Sequence, residues 1–262
     1  MRNVNQEIME ELERIEREES VRIVYACESG SRAWGFPSKD SDYDVRFLYI
    51  RSEDWYLSIY DKRDVIERPI SDKLDINGWD MKKALNLFRK SNPPLLEWLQ
   101  SPIVYRENRL ITEQIRRISA CTFSPRSCTY HYLHMAKGNY REYLQGDQVK
   151  IKKYFYVLRP ILACDWIGKY NTMPPIEFDR LVDALIPKGS ELQEVVLDLL
   201  TRKKAGDEMD YEPRISPINE FLEEKLAYYE QKASELQTAG GDQERQLDDL
   251  FRSVLRGVWQ AA

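Results

Sequence analysis

Every strand-like run in this 262-residue chain ends before Arg106. Val21–Cys27, Asp42–Ile50, Lys73–Trp79 and Ile103–Tyr105 are rich in β-branched and aromatic residues, as strands are. Beyond Arg106 the apolar spacing turns helical. Strands gathered first and helices afterwards define an α+β chain. The boundary is expected at 106/107, giving one domain over residues 1–106 and a helical domain over 107–262. An amphipathic helix over 5–18 precedes the strands, with Ile8, Leu12 and Ile15 on one stripe. A helix over 80–90 follows them, stopped by Asn92-Pro93-Pro94. The later helices are expected at 107–120, 126–145, 149–170, 177–186, 190–205, 216–237 and 243–259. Gly240-Gly241 separates the last two.

The segment between the first two strand runs carries the chemistry. It reads ESGSRAWGFPSKDSDYDVRF, from Glu28 to Phe47. Gly30 and Ser31 turn the chain. Glycine lets backbone approach a ligand, and neighbouring N–H groups point at anionic oxygens. Asp42 and Asp44 follow at the start of a strand. Period-two alternation places Tyr43, Val45 and Phe47 on one face and Asp42, Asp44 and Arg46 on the other. Adjacent carboxylates repel unless a cation joins them. A hard, oxygen-seeking ion such as Mg²⁺ is the natural guest. A third carboxylate is expected on a neighbouring strand. In Lys73–Trp79, Leu74 and Ile76 share one face, so Asp75 and Asn77 share the other. Asp72 is a rival to Asp75; Asp80 is better explained as the N-cap of the helix beginning at Met81.

Gly30-Ser31, Asp42-x-Asp44 and Asp75 together resemble the DNA polymerase beta-like nucleotidyltransferase superfamily. Glu28–Gly35, Ser41–Phe47, Lys82-Lys83 and Ser91–Glu97 narrow the resemblance to the RlaP family, named for an RNA-repair pathway. The resemblance implies a small mixed β-sheet nucleotidyltransferase domain followed by an α-helical domain. It also implies transfer of a nucleotide from a nucleoside triphosphate, with Mg²⁺ or Mn²⁺ held by Asp42, Asp44 and Asp75. Asp75 is best placed to accept the proton of the attacking hydroxyl. Gly30 and Ser31 would hold the terminal phosphates, with Arg32 and Lys39 as further phosphate candidates. Arg46 is expected to hold the carboxylates in place. Trp34 reads as a core or lid residue.

In this superfamily a helical domain closes over the nucleotide. Helical spacing places Lys152, Tyr156 and Arg159 on one stripe, with Lys153 beside Tyr156. The cations would neutralise phosphates and the tyrosine would stack on a base. A half-buried helix with solvated basic residues explains the same pattern; the resemblance favours Lys153 and Arg159 as nucleotide contacts.

Three readings of the acceptor follow: an RNA 3′ end, AMP transfer to a protein or small molecule, or a non-catalytic nucleotide-binding regulator. The carboxylate triad argues against the last. A formal net charge of −5 leaves no global basic footprint for nucleic acid, though a local basic groove suffices for one RNA end. The four cysteines are scattered, which fits a reducing, cytoplasmic setting. No apolar run approaches the roughly 18 residues of a membrane span. Cys121, Cys128, His131 and His134 lack the tighter pairing that zinc sites favour.

Overall fold

A computed structural model describes residues 4–69, 73–207, 209–237 and 244–260. In chain order the elements are α1 (Val4–Glu19), β1 (Arg22–Glu28), α2 (Gly30–Ala33), β2 (Tyr43–Ile50), α3 (Glu53–Tyr56), β3 (Val65–Glu67), β4 (Leu74–Asp80), α4 (Met81–Arg89), α5 (Pro93–Trp98) and β5 (Val104–Glu107). There follow α6 (Arg109–Thr122), α7 (Pro125–Tyr143), β6 (Gln148–Lys150), a 3₁₀ turn (Ile151–Tyr154), α8 (Phe155–Tyr170), α9 (Phe178–Leu185) and α10 (Glu191–Ala205). The last are β7 (Tyr211–Pro213), α11 (Ser216–Lys232), a second 3₁₀ turn (Ala233–Glu235) and α12 (Glu244–Gln260). Asp72 and the Gly240-Gly241 pair lie outside the described residues, as does the side chain of Cys121.

The chain divides into two compact units. The first comprises Met1–Ala33, Asp42–Thr122 and Gly240–Ala262. It holds a mixed five-stranded sheet in the order β3-β4-β2-β1-β5. β1 runs antiparallel to β2 and β5, and β2 runs parallel to β4. The alternation along β2 buries Val45, Phe47 and Tyr49 in one cluster with Ile76 of β4 and with Ile8, Leu12 and Ile15 of α1. Each such side chain contributes roughly 1.5–3 kcal/mol on burial. On β4, Gly78 makes room for this cluster: a Cβ there would lie 2.1 Å from the Phe47 ring. β2 also packs against α4, whose Met81, Ala84, Leu85 and Phe88 are buried. Leu48 and Ile50 of β2 are buried as well. α12 packs on α4 through an apolar stripe that buries Leu247, Leu250 and Val254.

Two expectations change here. Asn92-Pro93-Pro94 ends one helix and starts another. Asn92 accepts the Leu95 N–H at 3.2 Å, and the prolines sit at the first helical positions, where no N–H donor is needed. α6 also groups with the sheet. Its Ile111, Ile115 and Ile118 are buried, and it packs on β1 and α4, so the first unit runs on to Thr122 instead of ending at 106.

The second unit comprises Trp34–Ser41 and Phe123–Ala239. The α7–α8 pair forms its centre, with α9 and α11 against α8. Tyr132, Tyr154, Phe155 and Phe178 are fully buried. The short 34–41 segment adds Phe36, stacked on Phe155 at 4.8 Å and edge-on to Phe178 at 5.5 Å. A two-stranded antiparallel ribbon, β6 with β7, interrupts the helices. The helix expected over 149–170 therefore begins only at Phe155. The N–H groups of Ile151 and Lys152 donate across to the carbonyls of Asp210 and Met209, which holds the chain in the ribbon. Among the described residues no helix is long and apolar enough to cross a membrane.

Candidate active site

The site grows from the end of β1. The strand is buried to its last residue, and that residue is an acid: Glu28 is fully buried. A buried carboxylate is costly unless it is hydrogen-bonded. Glu28 Oε1 accepts the Asp44 N–H at 2.9 Å, and Oε2 accepts the Tyr105 hydroxyl. Its carbonyl accepts from Ser101 Oγ at 2.6 Å. The next residue returns the contact: Ser29 N–H donates to the Asp44 carbonyl at 2.8 Å. Asp44 is thus held on both sides of its backbone by the turn that ends β1. Burial pushes the Glu28 carboxyl above the ordinary range, opposed by the Tyr105 hydroxyl and the Asp44 N–H.

Gly30 opens the single helical turn α2 with φ 58°, a left-handed conformation that favours glycine. The space matters equally. A Cβ on Gly30 would lie 1.9 Å from Asp44 Oδ2. Ser31 follows, half-buried. Arg32 lies with its guanidinium over the Tyr43 ring at 3.7 Å, and its Nε donates to the Asp42 carbonyl at 3.1 Å. It braces the approach to β2. Asp42 itself is exposed.

Asp44 and Asp75 stand directly opposite each other across the parallel β2–β4 pair. Arg46 joins them. Its Nη2 donates to Asp44 Oδ1 at 3.2 Å and to Asp75 Oδ2 at 2.7 Å. Its Nη1 donates to the main-chain carbonyls of Val45 at 3.1 Å and Asp75 at 2.8 Å. The carboxylates are 29% and 31% exposed and the guanidinium 18%, so the cation sits below the two anions and leaves them open to solvent. Burial raises the Asp44 pKa above its ordinary value; Arg46 opposes the shift, while Asp75 and Asp42 add to it.

The donors here are hard carboxylate oxygens at the end of parallel strands, beside a glycine that leaves room for one of them. That chemistry fits a divalent cation such as Mg²⁺. Among the described residues no group of three or more His, Cys, Asp or Glu side chains converges as a metal cluster. Asp80, as its place before Met81 implied, caps α4: Oδ1 accepts the Lys82 N–H at 2.8 Å, and Oδ2 accepts the Tyr56 hydroxyl at 2.7 Å.

The remaining expected nucleotide contacts lie in the second unit and do not share a helical stripe. Lys152 and Lys153 are on the 3₁₀ turn and Tyr156 is in the first turn of α8. Arg159 is 4% exposed, its guanidinium 4.6 Å from the centre of the Trp34 ring and Nη2 donating to the Ile176 carbonyl at 3.4 Å. It is a core residue of that unit, not a surface cation. Lys39 is exposed on the 34–41 segment. Lys153 Nζ lies 4.2 Å from the Tyr143 ring centre and 5.0 Å from that of Tyr156. Two lysines outside the expected set join this surface. Lys150 lies 5.8 Å from the Tyr211 ring centre. Lys203 donates to Ser38 Oγ at 3.2 Å. Burial lowers the pKa of Lys153, with Lys150 and Lys152 adding to the shift, and burial and Lys152 lower that of Lys203.

Glu28 is the site residue that strand alternation does not pick out. The signal for it was an acid closing an otherwise apolar strand run.

Comparison with known proteins places the chain in the polymerase beta class of nucleotidyltransferases. Within that class it belongs to RlaP, the RNA repair pathway DNA polymerase beta family, matched over residues 4–253. A protein of Bacillus subtilis (strain 168), described as uncharacterized protein YcgL, is 51% identical over 257 residues, covering 98% of each chain. A crystal structure of a nucleotidyltransferase-like protein from Exiguobacterium sibiricum 255-15 aligns with a TM-score of 0.30 at 10% identity, over 81% of this chain and 73% of that one.

Proposed function

We propose that this nucleotidyltransferase moves a nucleoside monophosphate from a nucleoside triphosphate to a hydroxyl at an RNA end. The observation that carries this reading is the Asp44–Asp75 pair, in register across β2 and β4 and beside the Gly30 turn. Asp42, Asp44 and Asp75 are the residues that would hold Mg²⁺ or Mn²⁺, which when bound neutralises charge on the transferring phosphate. Gly30 and Ser31 receive the terminal phosphates. Asp75 accepts the proton of the attacking hydroxyl. The new oxygen–phosphorus bond forms at the α-phosphorus while the bond to the β-phosphate bridge breaks, and pyrophosphate leaves. Positioning and charge neutralisation supply the acceleration.

The acceptor reading draws on the second unit. Lys150 and Lys153 present ammonium groups to the rings of Tyr211, Tyr143 and Tyr156, and Lys152 and Lys203 add positive charge to the same group. Cations for phosphates interleaved with ring faces for bases is the chemistry of single-stranded nucleic-acid binding. Tyr156 and Tyr211 are 43% and 65% exposed, open enough for a base to stack.

The test incubates the full chain with Mg²⁺, each labelled triphosphate in turn, and either total RNA or protein extract. Label is expected in RNA. Label in protein alone would replace the acceptor reading with AMP transfer. Asp42→Asn and Asp44→Asn are each expected to slow pyrophosphate release by more than about 100-fold, the scale of losing one electrostatic stabiliser. Release at the wild-type rate would overturn the mechanism.

A further inference from the structure

We infer that Arg46 is a built-in cation occupying the bridge between Asp44 and Asp75, so that the site takes one divalent ion where a paired-ion displacement takes two. This rests on the metal-dependent transfer proposed above and specifies its ion count.

The argument begins with where the guanidinium is anchored. Were Arg46 held by the carboxylates alone, a metal would compete for them and release it. Instead Nη1 also donates to two main-chain carbonyls, those of Val45 and Asp75, and a metal competing for the carboxylates leaves both of those hydrogen bonds in place. Those carbonyls fix the plane of the group. A guanidinium is rigid, so Nη2 is fixed with it, between Asp44 Oδ1 and Asp75 Oδ2. A Mg²⁺ ion bridging the same two oxygens would need each at about 2.0–2.1 Å. It would then crowd Nη2, which lies at 3.2 Å and 2.7 Å from them and carries like charge.

The other side of Asp44 is different. Oδ2 is the oxygen that faces Gly30. Arg46 engages Oδ1 instead, which leaves Oδ2 on the side of the phosphate-receiving turn. Asp42 is exposed two residues before Asp44, the spacing that puts both on one face of an extended run. This narrows the three candidate carboxylates to Asp42 and Asp44 as donors for the single ion. Asp75, with one oxygen tied to Arg46, keeps the other for the hydroxyl proton.

The test counts ions without turnover. The full chain is dialysed against Mn²⁺ and a non-hydrolysable α,β-methylene analogue of ATP, and bound metal is measured per bound nucleotide. The wild type is expected to bind one Mn²⁺ and Arg46→Met two. Two ions on the wild type overturn the inference, and this result needs no variant. One ion on a folded Arg46→Met, checked by its melting curve, also overturns it. Nucleotide bound with no Mn²⁺ at all removes the metal-dependent reading itself, a result distinct from either count. Should Arg46→Met fail to fold, Arg46→Gln, which retains an amide for the main-chain carbonyls, gives the same comparison.

Discussion

At the scale of single residues, the candidate site depends on what Gly30 lacks and what Glu28 carries. Gly30→Ala combines a left-handed φ, costing about 1–2 kcal/mol, with a Cβ inside contact distance of Asp44 Oδ2. The variant is expected to melt at lower temperature and to lose more pyrophosphate release than Ser31→Ala, because the added methyl moves a carboxylate while the lost hydroxyl removes one donor. Equal losses in the two would sink this account. Asp44, Arg46 and Asp75 were legible in the chain because strands alternate with period two, and a residue's face follows from counting. The register that sets Asp44 against Asp75 was not, since it depends on how β4 slides against β2. Glu28 was harder still. A lone acid after an apolar run reads equally as the exposed end of a strand, and its partners Tyr105 and Ser101 lie more than 70 residues away.

At the scale of elements, caps decide where helices begin. Asp80 is 1% exposed and ends β4 while capping α4. Asp80→Ala removes the acceptor of both the Lys82 N–H and the Tyr56 hydroxyl, and is expected to cost about 1–2 kcal/mol. Asp80→Asn keeps an acceptor and should cost less. Burial, more than any other influence, raises the Asp80 pKa; the Tyr56 hydroxyl and the Lys82 N–H oppose it. A carboxyl whose pKa is higher folded than unfolded takes up a proton on folding, so wild-type stability falls as pH rises from about 3.9 through the raised value. Asn does not titrate. Denaturant melts across that window should therefore show Asp80→Asn gaining on the wild type as pH rises; a constant difference would mean that burial does not govern the group. The cap at Asp80 was visible because a helical pattern follows it directly. α5 was not, because the same Asn-Pro-Pro that stops one helix is also a good start for the next. The β6–β7 ribbon escaped for a different reason. Strands of three residues carry too little alternation to register, and Lys150 to Tyr154 then passed as the first turn of a helix.

At the scale of the whole molecule, charge is distributed unevenly. The chain carries −5 overall, yet Lys150, Lys152, Lys153 and Lys203 converge in one unit. Lys150→Glu combined with Lys153→Glu is expected to weaken binding of a labelled single-stranded RNA by more than about 10-fold and to flatten its salt dependence. Fluorescence anisotropy over a salt series reads both, with an unchanged melting temperature as the control. Retained affinity would locate RNA binding elsewhere. The strand-like runs end near Arg106 in the sequence, but the nesting of the two units was not readable there. The first unit closes only with α12, whose Leu247, Leu250 and Val254 are buried and whose Trp259 Nε1 donates to the Arg51 carbonyl at 2.8 Å. Sequence distance hides such a return. It has a consequence for synthesis. A ribosome that has emitted every residue through Lys232 has released all of the sheet and its carboxylates, but not the helix that packs on α4. The nascent chain must carry that bare apolar groove through the making of an entire second unit. Chaperone demand should therefore stay high until α12 emerges, and a chain cut just before Glu244 should aggregate instead of keeping partial activity.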